Sequence, residues 1–247
     1  MVIAGSAALV TGASSGIGRA VAVELARRGA GRLLLGGRDR DALAEVAART
    51  GGEPVPADLT SSDGLAATAA AARSVDLVVH AAGAGWAGDT AGMPVERLEA
   101  MLALNLGAPV ELTRRLLPSM LARGSGHLVF VASIAGAVPV PGEVVYSATK
   151  GGLIAFADAL RMEVGRRGVG VSVVLPGAVD TPFFARRGRR YDRSWPRMRG
   201  PEEVARSIVR AAEHGAAELV TPRWLRLPAR LHGGAPALYR GLARWLA

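Results

Sequence analysis

A chain of 247 residues, half of them apolar, is long enough to fill one core and short for two. It has no cysteine, which excludes disulfides, thiolate-bound zinc and thiol catalysis together, and no apolar run long enough to cross a bilayer. The formal charge of +9 is local: residues 185–199 hold seven Arg against one Asp, residues 219–247 hold five Arg and no acid, and the rest is close to neutral. Two late basic patches suit an anionic small molecule or a lipid surface better than the reading stripe of a nucleic-acid binder, so no nucleic-acid partner is expected.

The opening MVIAGSAALV lacks a basic start and reads as a buried strand, AALVT (7–11), not as a signal peptide. TGASSGIG, Thr11 to Gly18, follows and opens a helix that runs through Ala20 to Arg28. RLLLG (32–36) is a second strand, and a second helix spans 40–49 with Asp39 placed to cap it. The strands continue with DLVVH (76–80), HLVFV (127–131), VSVVL (171–175) and ELVTP (218–222). Helices fill the gaps at about 61–72, 94–104, 108–122, 146–167 and 201–214. Apolar strands without polar alternation, separated by helices, imply a parallel sheet covered on both faces. The expected fold class is α/β, a doubly wound Rossmann-type sheet of about seven strands, with its ligand beyond the carboxyl ends of the strands. No repeat or linker divides the chain, so 1–247 reads as one domain.

Two stretches carry chemistry on their face. In TGASSGIG, Gly12 permits a tight turn, Gly16 lets the backbone approach a pyrophosphate and Gly18 lets the helix pack closely, while the free N–H groups of the helix start face the negative charge. In YSATK, Tyr146 to Lys150, stands the one lysine of the chain; all twenty-nine other basic positions are Arg. An ammonium is compact, can hold sugar hydroxyls and can join a proton relay because burial lowers its pKa, whereas guanidinium is a rigid fork that keeps its proton. A phenol with a pKa near 10 needs about 4 kcal/mol of help to ionise near neutrality, and a neighbouring cation supplies help of that sign.

TGASSGIG, Asn105 in LNLG, Ser133 in VASIAG and YSATK, with Ser133 thirteen residues before Tyr146, together resemble the short-chain dehydrogenase/reductase family over about residues 5–220. The resemblance implies an NAD(P)(H)-dependent oxidoreductase that moves hydride between nicotinamide and a carbonyl/alcohol carbon. It implies that Tyr146 is the general acid or base, that Ser133 polarises the substrate oxygen, that Lys150 lowers the pKa of Tyr146 and holds the nicotinamide ribose, and that Asn105 supports a water linking Lys150 to solvent. It also implies cofactor contacts from Gly12, Ser14, Ser15, Gly16, Ile17 and Gly18, from Asp58 and Leu59 near adenine, from Ala82 and Gly83, from Tyr146 and Lys150, and from Pro176, Gly177, Val179 and Thr181, the last at the carboxamide. Where the family places an NAD-selecting carboxylate this chain has Gly37, followed by Arg38, which can pair with a 2′-phosphate. NADP(H) is therefore favoured over NAD(H), although Ser15 stands where a second basic NADP marker is usual. HAAG (80–83) puts Ala81 where an Asn usually ties the central strands. His80 and His127 read as packing or hydrogen-bonding residues, and no spacing suggests a metal.

By the same resemblance, the substrate wall comes from 84–86, 134–143 and 183–199. It offers Trp86, Ile134, Val138, Val140, Phe183 and Phe184, which suits a small, largely apolar carbonyl/alcohol substrate. Residues 182–200 form the substrate-side loop. Two alternatives stay open: a 3-oxoacyl thioester reductase, whose anionic carrier would suit the arginines but whose glycine-rich ending is absent, and a silent NADP-binding scaffold. The family pairs through helices near 108–122 and 146–167, so a homodimer or homotetramer is expected. Residues 222–247 form a basic, amphipathic extension, which Pro228 and Pro236 keep from being one helix. Either it packs over the substrate opening or a neighbouring subunit, or it makes peripheral contact with an anionic membrane. A cytoplasmic location is expected.

Overall fold

The strand runs of the sequence pair side by side in a computed structural model that describes residues 1–192, 194–239 and 241. The strands are β1 Ala7–Thr11, β2 Arg32–Gly37, β3 Glu53–Pro56, β4 Leu77–His80, β5 Gly126–Val131, β6 Val169–Pro176 and β7 Glu218–Thr221. All pair in parallel, in the order β3-β2-β1-β4-β5-β6-β7. The main helices are α1 Gly16–Arg27, α2 Arg40–Thr50, α3 Ser62–Ala71, α4 Val95–Leu102, α5 Ala108–Arg123, α6 Ile134–Ala137, α7 Val144–Val164, α8 Phe183–Arg186, α9 Pro201–His214 and α10 Arg226–Gly234.

Successive strand residues point to opposite faces of the sheet, and here both faces are buried. Leu9, Val78, Leu128, Phe130 and Val173 pack in one core with α3, α5 and α7. Ala8, Val10, Leu77, Val79 and Val129 pack in the other with α1, α2 and α9. That double burial is why the strands read as unbroken apolar runs.

Besides the short helices α6, α8 and α10, which the sequence pattern does not announce, a strand and a helical turn differ from the sequence expectation. EPVP forms β3, a strand that the apolar pattern does not reveal. It pairs only with β2 at the edge of the sheet, where prolines can sit without breaking a central ladder. The helices expected at 94–104 and 108–122 join through a π-helical turn, Ala103–Gly107, which carries the buried Asn105. Such turns insert one residue into a helix and recur at functional sites.

The sheet order reverses between β1 and β4, so the loops leaving these strands part and open a crevice. Thr11, the last residue of β1, closes its floor: Oγ1 accepts from the N–H groups of Ala81 and Ala82, each at 3.1 Å. A hydroxyl from β1 thus secures the backbone at the position where Ala81 has no amide to offer. Asp39 caps α2 by accepting from the Ala42 N–H at 3.0 Å. His80 stacks on Phe130 and bonds Thr113, and His127 bonds Ser172 at 2.8 Å. Among the described residues no helix is long and apolar enough to cross a membrane, and no acid/His group could hold a metal.

Candidate active site

A cleft of about 1390 Å³ lies along the carboxyl ends of β1, β2, β4, β5 and β6. At one end the glycine turn shapes it. Gly12 has φ +68°, and a Cβ there would lie 2.8 Å from the Ala82 Cα; one at Gly18 would lie 2.2 Å from the Gly12 carbonyl oxygen. No larger residue fits either place, which leaves backbone N–H groups at the start of α1 facing open space. Ser14, Ser15, Gly16, Ile17, Arg38 and Leu59 line this end. Asp58 does not: its carboxylate accepts from the N–H and hydroxyl of Thr60, at 3.0 and 2.8 Å, and these bonds hold its pKa below the usual range.

At the centre, α7 sets Tyr146 and Lys150 one turn apart, both buried. Lys150 Nζ donates to the Val131 carbonyl at 2.9 Å and lies 5.9 Å from the Tyr146 ring centre. Ser133 follows β5, caps α6 by accepting from the Ala135 N–H, and lines the cleft with Tyr146, near enough to act on its pKa. Asn105 braces the loop after β4: Oδ1 accepts from the Ala84 N–H at 2.8 Å, and Nδ2 donates to the Ala84 carbonyl and to Thr149 Oγ1. Both amide hydrogens are engaged, so a water could reach this side chain only at Oδ1. Ala82, Gly83, Pro176, Gly177, Val179 and Thr181 complete the wall.

Burial pushes the Tyr146 phenol up to about 12; Ser133 and Arg187 act downward and Glu143 upward. Burial also pulls Lys150 down to about 8. Lys150 is not among the groups that act on the Tyr146 pKa; its ammonium is turned to the Val131 carbonyl. Burial thus favours the protonated phenol, the state in which Tyr146 can give a proton.

The other end of the cleft is apolar. Ile134, Val138, Val140, Phe183 and Phe184 line it, with the Phe183 ring 5.3 Å from that of Tyr146. Trp86 is not part of this wall; it packs in the small cluster around Met101 and Tyr146. Trp195 stacks on Trp224 at 4.7 Å, and both line the mouth with Leu225, Pro228 and Tyr239. The tail residues Arg240 and 242–247, with Leu242, Trp245 and Leu246 of the amphipathic pattern, lie outside the described residues, as does Arg193.

Sequence reasoning missed the pair Glu143–Arg187. Arg187 is buried and ion-paired to Glu143; its Nε donates to the Arg189 carbonyl, and its guanidinium lies 4.6 Å from the Phe184 ring centre. The pair fastens the start of α7 to the loop after α8. A signal existed, since Glu143 is the only acid between Glu111 and Asp158.

Residues 6–192 match the family model described as short chain dehydrogenase. The chain is 34% identical over 232 residues to "Ketoacyl reductase HetN" of Nostoc sp., covering 88% of this chain and 79% of that protein. It superposes on a short chain dehydrogenase from Burkholderia cenocepacia in complex with NADP, with a TM-score of 0.86, 26% identity and full coverage of both chains. It also superposes on a 3-ketoacyl-(acyl-carrier-protein) reductase from Brucella melitensis complexed with NADH, with a TM-score of 0.82 and 25% identity, over 89% of this chain and 97% of that one.

Proposed function

The chain belongs to the short-chain dehydrogenase/reductase family, NAD(P)(H)-dependent oxidoreductases of carbonyl/alcohol carbons, and on that premise we propose that it uses NADP(H) on a small, largely apolar ketone or secondary alcohol. The residues fit a dinucleotide: Gly12 and Gly18 leave a cradle that a Cβ would fill, and Arg38 lines the cleft beyond Gly37 with no carboxylate there to hold a free ribose. When bound, the nicotinamide supplies or accepts the hydride. Tyr146 delivers the proton to the substrate oxygen in reduction and takes it back in oxidation. Ser133 donates a hydrogen bond to the same oxygen. Lys150 holds ribose hydroxyls and passes a proton onward, a task for which a pKa of about 8 is well placed. Phe183, Phe184 and the valines exclude water from the reacting carbon.

The observation that carries this reading is the geometry: buried Tyr146 near Ser133 and one turn from buried Lys150, between a glycine cradle and an apolar wall. NADPH oxidation followed across a panel of ketones tests it, with Tyr146→Phe as control. The phenylalanine variant is expected to lose nearly all turnover and still bind NADPH.

A second reading, a 3-oxoacyl thioester reductase, is favoured by the arginines at the mouth, Arg97 and Arg189 among them. Including 3-oxoacyl pantetheine thioesters in the panel decides between the two. We further propose a homodimer or homotetramer built on α5 and α7, with the tail closing the substrate opening. The exposed Trp195, Leu227 and Leu238, set among arginines, support peripheral contact with an anionic membrane beside that opening.

A further inference from the structure

Ser15 is the N-cap of α1, yet its hydroxyl makes no capping bond. It accepts instead from Arg186 Nη1 at 3.1 Å, a residue 171 positions away, and both residues line the cleft. The glycine turn has no basic side chain of its own facing this space. Arg19, the nearest in sequence, is turned back onto the Ser14 carbonyl at 3.1 Å and does not line the cleft. A dinucleotide's pyrophosphate carries two negative charges to the start of α1, where only N–H groups and hydroxyls wait.

Arg186 is held ready for that charge. Thr181 lies against the turn, with its Cβ and methyl 3.2 Å from where a Cβ of Gly16 would be. From there Pro182 leads into α8, whose last residue is Arg186. The next residue, Arg187, is fixed by Glu143, Phe184 and the Arg189 carbonyl, and its own carbonyl accepts from the Ala87 N–H at 3.0 Å. The backbone on both sides of Arg186 is thus anchored, while its side chain is exposed and forms no ion pair among the described residues. A guanidinium whose partner is a neutral hydroxyl gains a charge-assisted bond when a phosphate oxygen arrives.

We propose that Arg186 is a ligand of the cofactor's pyrophosphate, lent to the glycine turn by the substrate-side loop, so that nucleotide binding and ordering of that loop are coupled. This rests on the dinucleotide reading above. Coupling is reciprocal: whatever holds the loop against the cleft tightens the nucleotide, and the nucleotide steadies the wall that contacts substrate.

The test is direct binding, read from nucleotide fluorescence, of NADPH and of NADH to the full chain and to Arg186→Ala and Arg186→Lys. Arg186→Ala is expected to weaken both nucleotides by about tenfold, the size of one lost charge-assisted hydrogen bond, and Arg186→Lys to recover part of the loss. Limited trypsinolysis gives a second reading, since the loop to Arg199 keeps other arginines. NADPH is expected to slow cleavage there in the wild type and to leave it unchanged in Arg186→Ala. Unaltered affinity in Arg186→Ala would overturn the proposal, and so would a loss confined to NADPH, which would put Arg186 at the 2′-phosphate. A wild type that binds neither nucleotide would overturn the cofactor reading itself, a result distinct from both.

Discussion

Tyr146 and Lys150 sit four residues apart, and burial moves them in opposite directions, the phenol up to about 12 and the ammonium down to about 8. For Lys150 the unfolded chain titrates near 10.5. Between about pH 8 and that value the unfolded chain holds the extra proton, so stability rises with pH there; below it the burial costs its full amount, about 3 kcal/mol. Comparing Lys150→Met with wild type by urea unfolding removes this term. The variant's stability relative to wild type is expected to fall by about 3 kcal/mol from about pH 7 to about pH 11. No change in that difference would place the ammonium in solvent. At the adenosine end, Arg38→Ala is expected to weaken NADPH by about 2 kcal/mol and NADH far less, read by titration of each. Equal losses would sink the 2′-phosphate assignment. Lys150 was conspicuous in the sequence because it is the one lysine among thirty basic residues. The protonation state of Tyr146 was not, since it depends on burial and on Glu143 and Arg187, which the chain brings together only on folding.

Elements were legible wherever burial leaves a period in the sequence. The six apolar strands and the long helices needed nothing more, and the sheet followed from their alternation. β3 was hidden because two of its four residues are prolines and none is fully buried. The π turn was hidden because an inserted residue shifts the register of a helix without changing its composition. The clamp between α7 and α8 belongs to the same class, a contact across 44 residues with no local pattern. Glu143→Gln is expected to loosen it, leaving Arg187 buried without its counter-ion at a cost of about 3 kcal/mol. Because Glu143 raises the Tyr146 pKa and a freed Arg187 lowers it, both changes act downward. Ketone reduction needs the protonated phenol, so the alkaline limb of its pH profile is expected at lower pH in the variant. A limb that stays in place or moves upward would show that the pair does not act on Tyr146.

Across the whole molecule, the two basic patches that stood apart in the sequence meet at one place, the mouth of the cleft, through Trp195 of the loop and Trp224 of the tail. Among the described residues, half of the exposed large hydrophobics, Trp195, Met198, Trp224, Leu227 and Leu238, come from these segments. Flotation with anionic vesicles, comparing the full chain with one ending near Pro222, is expected to show salt-sensitive binding of the full chain only. If neither form floats and truncation changes only turnover or oligomer size, the tail is a wall of the pocket and not a lipid contact. This convergence leaves no trace in the sequence, because loop and tail meet through a contact between two indoles far apart in the chain. Those indoles, stacked 4.7 Å apart with planes 26° from parallel, are two of only four tryptophans in the chain. Rings so close share their excited states, so they absorb circularly polarised light as a pair and lose that signature when they separate. The mouth therefore carries its own optical gauge: any parting of loop and tail there would be read by stopped-flow dichroism without attaching any label.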